Sequence, residues 1–286
     1  MPTIQDVLQR LSQTLVTLYE APEAQSMAEW VLQHLLKASR FELLQRRKEI
    51  FPESLESQLH DIQQRLLQHQ PIQYVLGEAS FYGRDFLVTP AVLIPRPETE
   101  ELVQLVIKAF QHHPNPKLLD IGTGSGCIPI TLAAELPTAE LWGLDVSADA
   151  LNIAKRNAET LGQKVTWLQQ DILQEIPAVA PASLDAVISN PPYVLEEEKQ
   201  LMRENVLDFE PHLALFVPNH DPLLFYRRIA HLAQHLLKPG GRLFFEINER
   251  YAQETQDMLQ ESGYQDVQIL QDLRGKERMT LAVWPK

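Results

Sequence analysis

Residues 117–127 read K-L-L-D-I-G-T-G-S-G-C, and this short run limits the fold more than any other part of the chain. An apolar strand pattern passes straight into glycines at every second position, and an apolar helix pattern follows. Glycine reaches backbone conformations closed to other residues and lets a ligand approach the main chain closely, so the run reads as strand, tight turn, helix. The same alternation continues with the strand E-L-W-G-L-D, a helix from Ser147 to about Leu161, and the strands K-V-T-W-L and L-D-A-V-I-S. A helix around 223–237, the strand R-L-F-F-E-I, a helix over about 250–262 and closing strands near 267–270 and 279–284 complete it. Alternation of this kind predicts an α/β fold, a doubly wound sheet with helices on both faces.

The chain ahead of this pattern has a different texture. No glycine occurs before Gly77, and Ile4, Val7, Leu8, Leu11, Leu15 and Leu18 recur at three- and four-residue spacing, as do Met27, Trp30, Val31, Leu35 and Leu36. A small helical domain is predicted over 1–71, with Arg46, Arg47, Lys48 and Glu49 on a solvated helix face. Residues 72–94, rich in aromatic and β-branched side chains and broken by Gly77, Gly83 and Pro90, read as a β-hairpin linker. The alternating domain occupies 95–286, opening with a helix that starts at P-R-P-E-T-E.

Several function classes are excluded early. The formal charge of −13 disfavours direct nucleic-acid binding, because neutralising phosphates needs a basic face. No run approaches a membrane span and the first residues lack the features of a signal peptide, so a cytoplasmic protein without a membrane partner is expected. A single cysteine, Cys127, excludes a disulfide framework and suits a small packing residue. His231 and His235 lie one helical turn apart without a third ligand, so they read as surface histidines and no metal is expected.

In a doubly wound sheet, ligands bind at the carboxyl ends of the strands. Gly122, Thr123, Gly124, Ser125 and Gly126 occupy one such end, although the spacing differs from the glycine pattern of nicotinamide dehydrogenases. Asp145 closes the next strand, where a carboxylate can accept both hydroxyls of a ribose. Asp171 and Ile172, beyond the third strand, would flank the base, one accepting from an amino group and the other packing on the ring. A nucleoside-bearing cofactor is therefore expected here.

The fourth strand ends in S-N-P-P-Y, residues 189–193. Proline fixes its own φ and has no N–H, so the loop is stiff and offers acceptors without competing donors. The Asn190 side-chain oxygen and the Pro191 carbonyl could accept both hydrogens of a planar amino group, with Pro192 stiffening the corner and Tyr193 as a flat wall. Asn190 would border cofactor and substrate alike. An amide or base nitrogen is a poor nucleophile because its lone pair is delocalised. Acceptors that draw it toward a pyramidal geometry favour attack on a methyl group. Asn190, Pro191 and Tyr193 are the expected catalytic residues, and S-adenosyl-L-methionine is the expected cofactor.

The order D-I-G-T-G-S-G, L-D at 144–145, N-P-P-Y resembles the class I S-adenosylmethionine-dependent methyltransferases, with their Rossmann-like sheet, that modify amino nitrogens. The runs P-I-Q-Y-V-L-G-E-A-S-F-Y-G, V-T-P-A-V-L-I-P-R-P-E-T-E, F-E-P-H-L-A-L and D-L-R-G-K-E-R extend the likeness across the chain, to the peptide chain release factor glutamine methyltransferases, the PrmC/HemK family. That resemblance implies methylation of the glutamine amide in the Gly-Gly-Gln motif of class I release factors, which would be its protein partners. It also implies that Gly122 to Gly126 form the cofactor turn, Asp145 the ribose acid, Ile172 a base contact, and Asn190 to Tyr193 the amide pocket. Ile172 departs from the aromatic residue some members carry there. The helical domain would then contact the release factor, and a monomer is expected. The alternatives are a DNA or RNA amino-methyltransferase, which would need a basic face or a target-recognition domain, and a catalytically silent binding module, which would bind cofactor without turnover.

Overall fold

In the computed structural model, which describes residues 1–285, the chain divides into two units. One comprises residues 1–77 with 203–209, and the other 78–202 with 210 onward.

The first unit is helical. Helix α1, Ile4–Leu15, starts at a reciprocal cap in which Thr3 and Asp6 bond each other's backbone N–H, satisfying two donors a helix start leaves open. Its stripe of Ile4, Val7, Leu8, Leu11 and Leu15 packs against Ala24, Met27, Ala28, Val31 and Leu32 of α2, Ala21–Leu36. Helices α3, Arg40–Gln45, and α4, Glu56–Leu67, add Leu43, Leu59, Ile62 and Leu66 to that core. The basic cluster at 46–48 lies in the turn after α3, with Arg46 paired to Glu49 at 3.0 Å. Residues 72–76 read as strand, yet they form a short helix, α5, Ile72–Leu76. Pro71 fixes the backbone before it, and Gly77, at φ 77°, supplies the left-handed residue that ends it.

The hairpin is therefore shorter than the linker predicted for it: β1, Glu78–Phe81, pairs antiparallel with β2, Arg84–Leu87. Helix α6, Pro97–Phe110, follows with Pro97 in its first turn and Glu98 and Glu100 near its positive end. Then come β3, Lys117–Ile121; α7, Cys127–Glu135; β4, Glu140–Asp145; α8, Ala148–Thr160; β5, Thr166–Gln169; and β6, Leu184–Ser189. A two-residue strand β7, Val194–Leu195, leads to the short helix α9, Glu204–Leu207, of the first unit, and the chain returns through β8, Phe216–Val217. Helix α10, Leu224–Leu236, β9, Leu237–Glu246, α11, Ala252–Glu261, β10, Gln265–Gln271, and β11, Glu277–Val283, close the domain.

The seven-stranded sheet has the order β10-β11-β9-β6-β3-β4-β5. Strands β5, β4, β3, β6 and β9 run parallel, and β11 runs antiparallel to both of its neighbours, β9 and β10. Leu119 and Ile121 of β3 face a core shared with α10 and α11, whereas Leu118 faces one shared with α6 and α7. Burial of both faces explains the nearly unbroken apolar strands. The chain winds outward from β3 to β5, then returns to β6 beside β3. That reversal opens a crevice at the carboxyl ends of β3 and β6, where ligands of open α/β sheets bind.

Candidate active site

One cavity occupies that crevice. It is lined by Gly122 and Gly124 after β3, Asp145 at the end of β4, Asp171 and Ile172 after β5, and Asn190, Pro191 and Pro192 after β6. Loop residues 91–93, Pro211, Leu213 and Ala214, and the α10 side chains Phe225 and Ile229 add walls that sequence patterns did not disclose. Thr123, Ser125, Gly126 and Tyr193 do not line it.

Gly122 and Gly124 have φ of 76° and 54°, and a Cβ built on either would meet nothing within 4 Å. Their backbone borders open space, as close approach of a ligand requires. Gly126 serves packing: a Cβ there would come within 2.9 Å of Ile130 and 3.0 Å of Trp167. Gly143 makes room for the same indole, which would lie 2.5 Å from an added Cβ. Thr123 and Ser125 are buried, their hydroxyls make no well-formed hydrogen bond, and they serve through the backbone. The Thr123 carbonyl accepts from Gly126 N at 2.8 Å, and the Ser125 carbonyl accepts from the Asn157 side chain at 2.9 Å.

Asp145 accepts from Gly124 N at 2.9 Å through one oxygen and from Ser147 N at 3.0 Å through the other. Burial raises its pKa, and bonds from the backbone N–H groups of Ser147, Gly124 and Val146 counter that rise. A carboxylate oxygen accepts about two bonds, so each keeps capacity for a ligand hydroxyl. Asp171 is engaged locally, accepting from Leu173 N at 2.9 Å and from Gln174 Nε2 at 2.7 Å. Arg228 of α10 clamps the turn that carries Ile172, donating to the Ile172 carbonyl at 2.7 Å and the Glu175 carbonyl at 3.0 Å. Beneath the glycine turn, Asp120 is 1% exposed and neither oxygen makes a well-formed hydrogen bond. Burial pushes its carboxyl up to about 7, an effect the Thr123 hydroxyl partly offsets. The Cys127 thiol is likewise pushed up to about 12 by burial, which leaves it no nucleophile at neutral pH.

At the corner after β6, Asn190 donates from Nδ2 to the Thr99 hydroxyl at 3.2 Å. Its Oδ1 has no donor among the described residues. Tyr193, expected as a wall of the pocket, instead turns inward and donates from its phenol to Glu246 Oε1 at 3.3 Å. A buried phenol needs a partner, and Glu246 at the end of β9 is the acceptor within reach. The Tyr193 carbonyl accepts from Asn248 Nδ2 at 3.2 Å. Glu210, 4% exposed, accepts from Arg96 at 2.6 Å and from Ile94 N at 3.3 Å, tying the segment after β2 to the cavity wall at 211–214. His231 and His235 are exposed on α10, and no group of three metal-ligating side chains occurs among the described residues. No helix among these residues is long and apolar enough to cross a membrane.

A release factor glutamine methyltransferase of Bacteroides thetaiotaomicron is 44% identical over 95% of this chain and 97% of its own. The chain belongs to that family. A release factor glutamine methyltransferase of Chlorobaculum tepidum is 40% identical over 90% of this chain and 89% of its own. A family model described as methyltransferase small domain matches residues 98–209, and one described as the PrmC N-terminal domain matches residues 6–77. A solved methyltransferase from Pyrococcus furiosus shares the fold, with a TM-score of 0.52 at 18% identity over 78% of this chain and 98% of its own. As a release factor glutamine methyltransferase family member, the protein is an S-adenosylmethionine-dependent enzyme, and the donor set fits that cofactor. Open backbone at Gly122 and Gly124, a carboxylate with spare acceptor capacity and the apolar lining supplied by Ile172 and Phe225 suit an amino-acid chain, a ribose and a purine respectively.

Proposed function

We propose that the protein methylates the side-chain amide nitrogen of the glutamine in the Gly-Gly-Gln motif of class I peptide chain release factors, giving N5-methylglutamine. The observation that carries this reading is Asn190. It lines the same cavity as the glycine turn and Asp145, with its amide NH2 engaged by Thr99 and its Oδ1 left for a ligand.

S-adenosylmethionine supplies, when bound, a methyl group on a sulfonium sulfur together with its own leaving group. Gly122 and Gly124 would hold its amino-acid end, Asp145 its ribose, and Ile172 and Phe225 its adenine, with Asp171 at the base edge. Asn190 Oδ1 and the Pro191 carbonyl would accept the two N–H bonds of the substrate amide. Two acceptors on one nitrogen favour its pyramidal form, which is closer to the transition state than to the planar amide. Because Pro191 and Pro192 carry no N–H, no backbone donor competes for the lone pair at that corner. The nitrogen turns acidic as the methyl arrives and sheds a proton after transfer, so attack needs no general base.

The two glycines ahead of the substrate glutamine would let an extended backbone pass between the loop at 91–93 and the wall at 211–214. The helical unit, which bears no catalytic motif, would contact the body of the release factor, in the cytoplasm and with a monomeric enzyme. Radiolabelled methyl transfer to purified release factor, to its Gln-to-Ala variant and to duplex DNA tests this. Incorporation into the first alone supports the proposal. Equal labelling of the Gln-to-Ala variant, or labelling of DNA instead, refutes it.

A further inference from the structure

An amide side chain can stand two ways round, with NH2 and oxygen exchanged, and only one of them serves the proposed pocket. The surroundings of Asn190 contain a device that selects between them. Thr99, 3% exposed in the first turn of α6, has a hydroxyl 2.6 Å from Glu246 Oε2 and 3.2 Å from Asn190 Nδ2. Glu246 is 1% exposed, and its other oxygen accepts from the Tyr193 phenol.

The direction of each bond follows from counting protons. A carboxylate has none to give, so Thr99 must donate its single hydroxyl proton to Glu246. The Thr99 oxygen can then only accept. Of the two ends of the Asn190 amide, only the NH2 can donate to it, which turns Oδ1 the other way. We infer that Glu246, acting through Thr99, fixes the Asn190 amide so that its oxygen and not its NH2 meets the substrate nitrogen. The same carboxylate holds the far end of the corner through Tyr193, so Glu246 and Thr99 are positioning residues for the whole turn from 190 to 193. A buried carboxylate is costly to leave without partners. Burial raises the Glu246 pKa, and its two hydroxyl donors and the nearby Arg278 charge offset part of that rise.

This inference rests on the proposed function for its kinetic test, and a second readout is independent of it. Thr99→Val keeps the side-chain shape but removes the acceptor, Thr99→Ser keeps the hydroxyl, and Glu246→Gln keeps the volume but can donate to Thr99. Thr99→Val and Glu246→Gln should each lower kcat about tenfold, the scale of one lost hydrogen bond. The release factor KM and the cofactor Kd should stay within about threefold, and Thr99→Ser should restore most of kcat. A Thr99→Ser variant as slow as Thr99→Val, or a Glu246→Gln variant with normal kcat, would overturn the inference.

The substrate-free readout is the Asn190 side-chain NH2 signal in a 15N-labelled enzyme, identified by its loss in Asn190→Asp. It should show an NOE to Thr99 in the wild type that weakens or vanishes in Glu246→Gln. An unchanged NOE in that variant overturns the orientation mechanism even if the wild type proves inert toward release factors, a result that would separately refute the proposed function.

Discussion

Replacing Asp145 with alanine probes the cofactor half of the site, and its size can be worked from the geometry. Each Asp145 oxygen receives one well-formed backbone bond, from Gly124 N at 2.9 Å or Ser147 N at 3.0 Å, and the carboxylate keeps acceptor capacity for the ribose hydroxyls. A hydrogen bond to a charged group contributes about 1.5–3 kcal/mol net. Losing that scale of interaction corresponds to a rise in Kd of about ten- to a hundredfold. The alanine variant also frees Gly124, whose left-handed backbone at φ 54° is held by that same carboxylate, so the loss should fall toward the larger end. Asparagine distinguishes this account from simple loss of charge. Its NH2 must face either the Gly124 or the Ser147 N–H, donor against donor, so Asp145→Asn should bind cofactor little better than the alanine variant. Calorimetric titration with S-adenosylhomocysteine at fixed ionic strength measures both, and thermal unfolding checks that the variants remain folded. A folded Asp145→Ala enzyme that binds within twofold of wild type would refute the reasoning.

Two further outcomes are expected. The Asp120 carboxyl, raised to about 7 in the fold against about 3.9 unfolded, keeps its proton in the native state between those values while the unfolded chain releases it. Its contribution to stability is therefore present at low pH and falls as pH rises from about 4 through 7. Asp120→Asn cannot ionise, so urea unfolding should show it gaining on the wild type by about 2–3 kcal/mol between pH 5 and pH 8; a constant difference would contradict the assignment. Arg96→Ala should destabilise the fold by about 3 kcal/mol, because it leaves the buried Glu210 carboxylate with only the Ile94 N–H. Adding Glu210→Gln should recover part of that loss in a double-mutant cycle, and strict additivity of the two would argue against the pair.

Contiguous signals were legible in the sequence. The glycine turn, Asp145 and the Asn-Pro-Pro corner each announce themselves within a few residues, because a turn or a strand end imposes its chemistry locally. Groups that converge from distant segments were not legible. Thr99 stands in the first turn of α6 and Glu246 at the end of β9, and nothing in P-E-T-E or R-L-F-F-E-I says that they meet. A carboxylate closing an otherwise apolar strand was the available hint, since a buried charge needs a partner. Phe225 and Arg228 belong to the amphipathic pattern of α10, where any site role is hidden by packing. The helix at 72–76 was not legible because Ile, Tyr and Val favour strands, while its determinants are the flanking Pro71 and Gly77. Tyr193 shows the converse limit: its place in the motif was plain, but the side its phenol would face depended on Glu246.

The central claim is that Asn190 grips the substrate amide without holding the cofactor in place. It is tested most directly by measuring kcat for release factor methylation and Kd for S-adenosylmethionine side by side in Asn190→Ala. A fall of about a hundredfold or more in kcat is expected, by comparison with losing one transition-state hydrogen-bonding group, with Kd unchanged within a few fold. Near-normal turnover, or a loss that appears entirely in cofactor binding, would contradict it.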